Sequence, residues 1–273
     1  MTSNEIFKNR RRIAARTAIG ACATITLAAA TSVGVLLAQV AAAKRHPMTD
    51  PRTAPEIGGA SGPQNASRIK LVVLGDSLAL SVGVTDPQDS LTGRLTAAMV
   101  EVGYRVELTG VAVSNSRSVD VRIQVSRALI TSENDPYDVA LIVVGAGDAM
   151  QWLPLDEIGR ATQRSITALR EAGLEVVLAT CTDLGAAQCI SRPLRTLWGW
   201  RSARIARMQA AVAQDAGATA VNLVSELGSL FRADPGMICA DGFHPSADGY
   251  RLIAERLEPA LTAACERSTK SNA

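Results

Sequence analysis

Between residues 69 and 257 the chain alternates short apolar runs with longer stretches of helical period, and that alternation leaves few folds open to it. Ile69-Lys-Leu-Val-Val-Leu74 is a nearly continuous apolar run that stops at Gly75, the pattern of a strand buried on both faces rather than one. Asp138–Val144 is the most apolar run and is expected to be a central strand. Further strands are expected over Tyr104–Thr109, Leu174–Thr180 and Thr219–Val224. Helices are expected over Ser90–Val102, Val119–Ile130, Leu155–Ala172 and Leu194–Ala216. A last helix covers Ala247–Leu257, with Ser246 as its N-cap and Pro259 kinking or restarting it. The fold class is therefore α/β: a three-layer α/β/α sandwich around a five-stranded parallel sheet with right-handed crossovers. Such sheets bind ligands beyond the carboxyl ends of their strands.

Composition matters mainly for where the chain resides. Hydrophobic residues make up 47% and charged residues 20%, which supports a buried core and argues against disorder. Seven of the 28 basic side chains but only one of the 26 acidic ones lie in residues 1–45, so the remainder is mildly acidic. No nucleic-acid partner is expected of such a body. Behind the basic cluster Lys8, Arg10, Arg11, Arg12 and Arg16, the stretch Thr17–Ala43 carries no charge. As a helix it would span ~40 Å, enough to cross a bilayer with the cluster on the cytoplasmic side. Its length suits an uncleaved signal anchor, and Ala41-Ala42-Ala43 suits a cleaved export peptide. Either places the rest outside the cytoplasm, anchored to the membrane, held in the cell wall or secreted. The expected organisation is an export segment over 1–45, a flexible Pro/Gly/Ser-rich linker over 46–67, a folded domain over 68–265 and a polar tail over 266–273. Outside the cytoplasm disulfides are permitted. Cys181–Cys189, which closes a short loop, together with Cys239–Cys265 is the expected pairing; buried free thiols are the alternative.

Chemistry concentrates at two places. Gly75-Asp76-Ser77-Leu78 follows the first strand, where a serine on a sharp strand-to-helix turn presents its hydroxyl above the sheet edge. Alone, that tripeptide is more often an ordinary turn. The chain has two histidines, and His46 lies in the linker, so His244 is the one imidazole of the folded domain. It sits in Asp241-Gly242-Phe243-His244-Pro245, with a carboxylate three residues upstream. That spacing lets Asp241 hold one ring nitrogen while the other faces a serine, the logic of a nucleophile, base and orienter.

These blocks, with Ala112–Asp120 and Val144-Gly145-Ala146-Gly147-Asp148, resemble the GDSL/SGNH hydrolases over residues 69–260. Thr180-Cys-Thr-Asp-Leu-Gly185 with Pro193-Leu-Arg195 is similar to the exported bacterial branch of that family. The resemblance implies a flavodoxin-like fold, a shallow site and ester hydrolysis without metal or cofactor. By position, Ser77 is the nucleophile, His244 the base and Asp241 its orienter. The pattern fails twice, at the oxyanion hole. Asn115 stands where the family has a glycine donating its N–H, and Gly147 where it has an asparagine donating its side-chain amide. Either the Asn115 carboxamide fills the space left at Gly147, or only the N–H groups of Ser77 and Asn115 remain as donors. Losing one such donor typically costs ~10²–10³ in kcat.

The expected substrates are short acyl or acetyl esters of envelope lipids or glycans, with Leu78 and Trp152 lining the acyl pocket. Acyl transfer to another acceptor, or a non-catalytic binding role on the same scaffold, are the alternatives. The stretch Leu194–Met208 carries Trp198 and Trp200 among Arg195, Arg201, Arg204 and Arg207. It reads as a helix with one buried and one solvated basic face, or as one lying on an anionic membrane.

Overall fold

Leu71, Val72, Val73 and Leu74 are all fully buried, because the strand that carries them has a parallel neighbour on each edge and helices over both faces. In chain order the strands are β1 (Gly58–Ser61), β2 (Ser67–Gly75), β3 (Tyr104–Gly110), β4 (Val139–Val143), β5 (Glu175–Ala179) and β6 (Thr219–Val221). The helices are α1 (Leu91–Glu101), α2 (Val121–Thr131), α3 (Ala146–Met150), α4 (Leu155–Glu171), α5 (Leu194–Asp215), α6 (Leu223–Ala233) and α7 (Ala247–Ser271). The computed structural model describes residues 33–271. The chain divides into two compact units at His46, and in the first of them residues 33–45 are helical. Most of Thr17–Ala43 lies outside the described residues, and among those described no helix is long and apolar enough to cross a membrane.

The sheet runs β1-β3-β2-β4-β5-β6, parallel throughout except for β1, which pairs antiparallel with β3. Side chains alternate strictly across it. Ile69, Leu71, Val73, Val139, Leu141, Val143, Val177 and Ala179 pack under α1, α6 and α7. Their chain neighbours Val72, Leu74, Ala140, Ile142, Val176 and Leu178 pack under α2, α4 and α5. A one-residue slip would exchange the two sets, so two differently shaped cores fix the register. From β2 the chain moves to β3 on one side and then returns to β4 on the other, which opens a crevice beyond the carboxyl end of β2.

The α/β/α sandwich is as expected, with four corrections. The sheet has six strands, not five, and the sixth comes from the expected linker. Gly58-Gly59-Ala60-Ser61 is exposed throughout and carries no apolar pattern; it joins by main-chain pairing to the open edge of β3. The expected polar tail is helical as far as Ser271. Leu257, Leu261, Ala264 and Cys265 bury one face of α7 on both sides of Pro259, and that packing carries the helix through the proline. The expected strand over Thr219–Val224 stops at Val221, where Asn222 accepts a hydrogen bond from the Ser225 N–H and starts α6. Finally, Cys181, Cys189, Cys239 and Cys265 are free thiols. Cys265 is sealed in the core of α7, whereas Cys239 Sγ faces Asp241; Cys181 packs on Gly145 and Cys189 on Gly242.

Candidate active site

β2 ends at Gly75 with φ 137°, and a Cβ there would sit 1.9 Å from the Val143 carbonyl oxygen. Glycine is what lets the strand press against β4 and then turn sharply. The next residue locks the turn. Asp76 donates its N–H to Val143 O (3.0 Å), and its buried carboxylate accepts from the N–H groups of Leu78 (2.9 Å) and Gly145 (3.3 Å). Burial pushes that carboxyl up to about 6, against the lowering effect of the two N–H groups. Half-buried Ser77 lies between these anchors, over the crevice.

The opposite side of the crevice is the loop before α7. Cys239 N–H bonds to His244 O (2.8 Å) and Ser246 N–H to Met237 O (3.0 Å), so the loop closes on itself as a narrow hairpin. Within it, the Asp241 carboxylate accepts from the N–H groups of Phe243 (2.8 Å), His244 (2.9 Å) and Thr49 (3.1 Å). The His244 ring spans the remaining gap. Its Nδ1 is 2.7 Å from Asp241 Oδ2 and its Nε2 is 3.1 Å from Ser77 Oγ. Burial alone would raise the Asp241 carboxyl, but the ring and the backbone N–H groups outweigh it and hold the acid well below the usual carboxylate range. With Asp241 ionised, Nδ1 carries the proton and Nε2 is left as a base toward the hydroxyl. Thr49 belongs to the stretch expected to be a free linker, and its contact with Asp241 was invisible in the sequence.

The loop after β3 forms the third side. Gln124, buried on α2, accepts from Gly75 N–H (2.7 Å) and donates to Gly75 O and Ser116 Oγ (2.9 Å each). Asn115, beside it, has φ 63°, the backbone conformation a glycine takes most easily. Its side chain is exposed and lines a separate hollow with Val113, Ile123 and Arg127, not the pocket that holds Ser77. Gly147 is packed tightly: a Cβ there would be 3.0 Å from Ser116 O and 3.3 Å from Arg117 Cγ. Asp148 clamps the two loops by accepting from Ser118 N–H (3.0 Å) and Oγ (2.8 Å); burial raises its carboxyl to about 6 despite these bonds.

An apolar pocket with a cavity volume of about 50 Å³ opens beside Ser77 and His244, lined by Leu78, Leu184, Leu223, Leu227, Phe231 and Ile253 among others. Leu78 lines it and Trp152 does not. Trp152 stands half-exposed, with φ 57°, and the Arg201 guanidinium stacks 4.8 Å from its ring centre while also bonding to Leu153 O. On α5, Trp198 is buried, whereas Trp200 is exposed beneath Arg204. Three pocket residues, Leu223, Leu227 and Phe231, were missed because α6 was missed. The cap at Asn222 and the four-residue spacing of Leu223, Leu227 and Phe231 were the available signals. Among the described residues no group of three or more His, Cys, Asp or Glu is placed to hold a metal.

Known proteins resemble this chain in sequence and in fold. Residues 73–252 match the GDSL-like lipase/acylhydrolase family. A GDSL-like esterase of Mycobacterium tuberculosis (strain ATCC 25618 / H37Rv) is 35% identical over 198 residues, spanning 71% of this chain and 62% of that relative, less than two thirds of its length. Similar crystal structures include TesA (TM-score 0.57, 21% identity, 71% of this chain and 99% of the other). The esterase EstA from a Pseudoalteromonas species gives 0.55 at 14% identity (71% and 97%). The acetylxylan esterase Axe2 from Geobacillus stearothermophilus gives 0.53 at 18% (71% and 94%). At these identities the structures speak for the fold, and the sequence match over most of the domain speaks for descent: the chain belongs to the GDSL-like lipase/acylhydrolase family.

Proposed function

We propose that this protein is an exported serine esterase that cleaves carboxylic esters through an acyl-enzyme. The observation that carries the reading is the continuous relay from Ser77 Oγ through the His244 ring to the ionised Asp241, at 3.1 Å and 2.7 Å. Ser77 Oγ attacks the ester carbonyl carbon as its proton passes to His244 Nε2. The tetrahedral oxyanion is held by the N–H groups of Ser77 and Asn115. When it collapses, Nε2 returns the proton to the departing alcohol oxygen and the acyl group stays on Ser77. Water then attacks the acyl carbon, gives its proton to Nε2, and the acid leaves as Ser77 Oγ recovers that proton. Asp241 takes no proton at any step; it fixes the ring and stabilises the transient imidazolium.

The acyl group enters the apolar pocket, which suits chains of a few carbons as well as acetyl. The alcohol stays on the solvent side, consistent with the acylated lipids or glycans of a cell envelope. Export rests on the uncharged run Thr17–Ala43 behind its basic cluster. In this reading the hole has two donors: Gly147 supplies no side chain, and Asn115 lines its own hollow rather than the pocket that holds Ser77. The deciding experiment treats the full chain with a fluorophosphonate probe and with nitrophenyl butyrate. Labelling and turnover that both vanish in Ser77→Ala are expected. A folded wild type that neither labels nor turns over would overturn the proposal.

A further inference from the structure

The strand order places the apolar pocket on one side of Ser77 and a second hollow on the other. Ser77 follows β2, and the pocket is lined by Ala146 after β4, Leu184 after β5 and Leu223 after β6, all toward one edge of the sheet. Toward the other edge, the loop after β3 and the first half of α2 border a hollow of about 290 Å³, against about 50 Å³ for the pocket. That approaches the size of ordinary ligand sites, ~300 Å³ and upward. The loop is laced to the turn that carries the nucleophile: Val113 N–H bonds to Gly75 O (3.1 Å), and Gln124 bridges Gly75 and Ser116. Two kinds of surface line the hollow. Val113 and Ile123 are apolar, and 49% and 58% exposed. Beside them stand Ser114, Asn115 and Arg127, whose side-chain polar groups have no hydrogen-bond or ion-pair partner among the described residues.

We infer that this hollow receives the alcohol half of the ester, and that the alcohol is a sugar and not a lipid. The inference rests on the esterase reading and names its substrate class. Acyl and alkoxy groups diverge from the attacked carbonyl carbon. With the oxyanion at the Asn115 N–H and the acyl group in the pocket on the β4–β6 side, the alkoxy group is directed toward β3. A glycerolipid would find only two aliphatic side chains there and would leave most of its hydrocarbon in water. A sugar ring can lay a C–H face on Val113 and Ile123 and meet Ser114, Asn115 and Arg127 with its hydroxyls, the usual division between apolar lining and a few orienting polar groups. The two volumes agree with this: the small pocket holds a short acyl group, and the bulk of the substrate lies on the other side of Ser77.

The test measures kcat/KM of the full chain on three acetates: nitrophenyl acetate, whose leaving group needs no subsite, 6-O-acetylglucose and hexyl acetate. Wild type is expected to favour the sugar ester over hexyl acetate by about tenfold or more, the size of effect that a few pocket contacts supply. Ile123→Trp fills the hollow from the exposed flank of α2, and Arg127→Ala removes an uncommitted donor. The ratio of sugar ester to nitrophenyl acetate is expected to fall about tenfold in the first and about threefold in the second, chiefly through KM. A disturbance of the fold would lower all three esters in parallel and leave that ratio where it was. A ratio that neither variant moves, or a wild type that favours hexyl acetate, overturns the inference. A wild type inactive on all three esters overturns the esterase reading and this one with it, whereas one that turns over nitrophenyl acetate without preferring the sugar ester overturns this one alone.

Discussion

His244 Nε2 lies 3.1 Å from Ser77 Oγ across 167 residues of chain, with no helix or strand in common between them. One residue hangs on the turn after the central strand, the other on a hairpin before the last helix. Tyr250, fully buried on α7, bonds through its hydroxyl to Val82 O (2.7 Å) and ties the two segments together. Gly83 matters for the same reason, since a Cβ there would be 2.6 Å from Pro245 O.

The relay makes a demand on Asp241 that its amide cannot meet. Asp241→Asn keeps the size of the side chain but favours the wrong ring tautomer, leaving Nε2 protonated toward Ser77. A fall in kcat of ~10⁴ with KM changed little is expected, measured on nitrophenyl butyrate. A loss below tenfold would remove Asp241 from the relay.

Asn115 separates a backbone donor from a side-chain donor. Asn115→Gly keeps the left-handed backbone and discards the carboxamide, so kcat/KM is expected to stay within about threefold of wild type, far from the ~10²–10³ loss of a true donor. Asn115→Ala adds backbone strain of ~1–2 kcal/mol at φ 63° and is expected to be less stable than the glycine variant by about that amount in urea unfolding. A hundredfold loss in Asn115→Gly would show instead that the carboxamide holds the oxyanion.

Gly75→Ala probes the packing of β2 on β4. The added Cβ falls 1.9 Å from backbone, which no rotamer relieves. Destabilisation of about 3 kcal/mol or more is expected by urea unfolding, with loss of activity in whatever remains folded.

The buried acid Asp148 links stability to pH. Its folded carboxyl is raised to about 6, above an ordinary 3.8. The unfolded chain therefore releases that proton first as pH rises, and stability drains away between pH 4 and 6, then levels off. In Asp148→Asn, whose amide oxygen still accepts from Ser118, this loss is absent. Relative to wild type, the asparagine variant is expected to gain stability from pH 4 to 6 and to hold the gain above it. A difference that is flat with pH would show that Asp148 is not the group responsible. Asp241 has the opposite sign: its contribution is present above the usual carboxylate range and fades only in acid.

The alternation of apolar runs fixed the layered α/β architecture, because strands buried on both faces leave a continuous hydrophobic signal that their own residues carry. Ser77, His244 and Asp241 could be picked out as candidates for a related reason: they lie in short blocks, with one imidazole in the domain to choose from, and the structure brings the three side chains together. Contacts made through main-chain groups were not legible. Gly58–Ser61 adds a strand, and Thr49 anchors Asp241, through N–H and C=O groups that every residue possesses. The tertiary structure also decided where the tryptophans went, turning Trp152 away from the pocket toward Arg201, and it left the four cysteines as free thiols. It built the apolar pocket beside Ser77 from α6 and the turn at Asp183, which meet only after the sheet has folded. Patterns within one segment record its own burial; the shape of a cavity depends on which segments face it, and that is set by the packing of the whole chain.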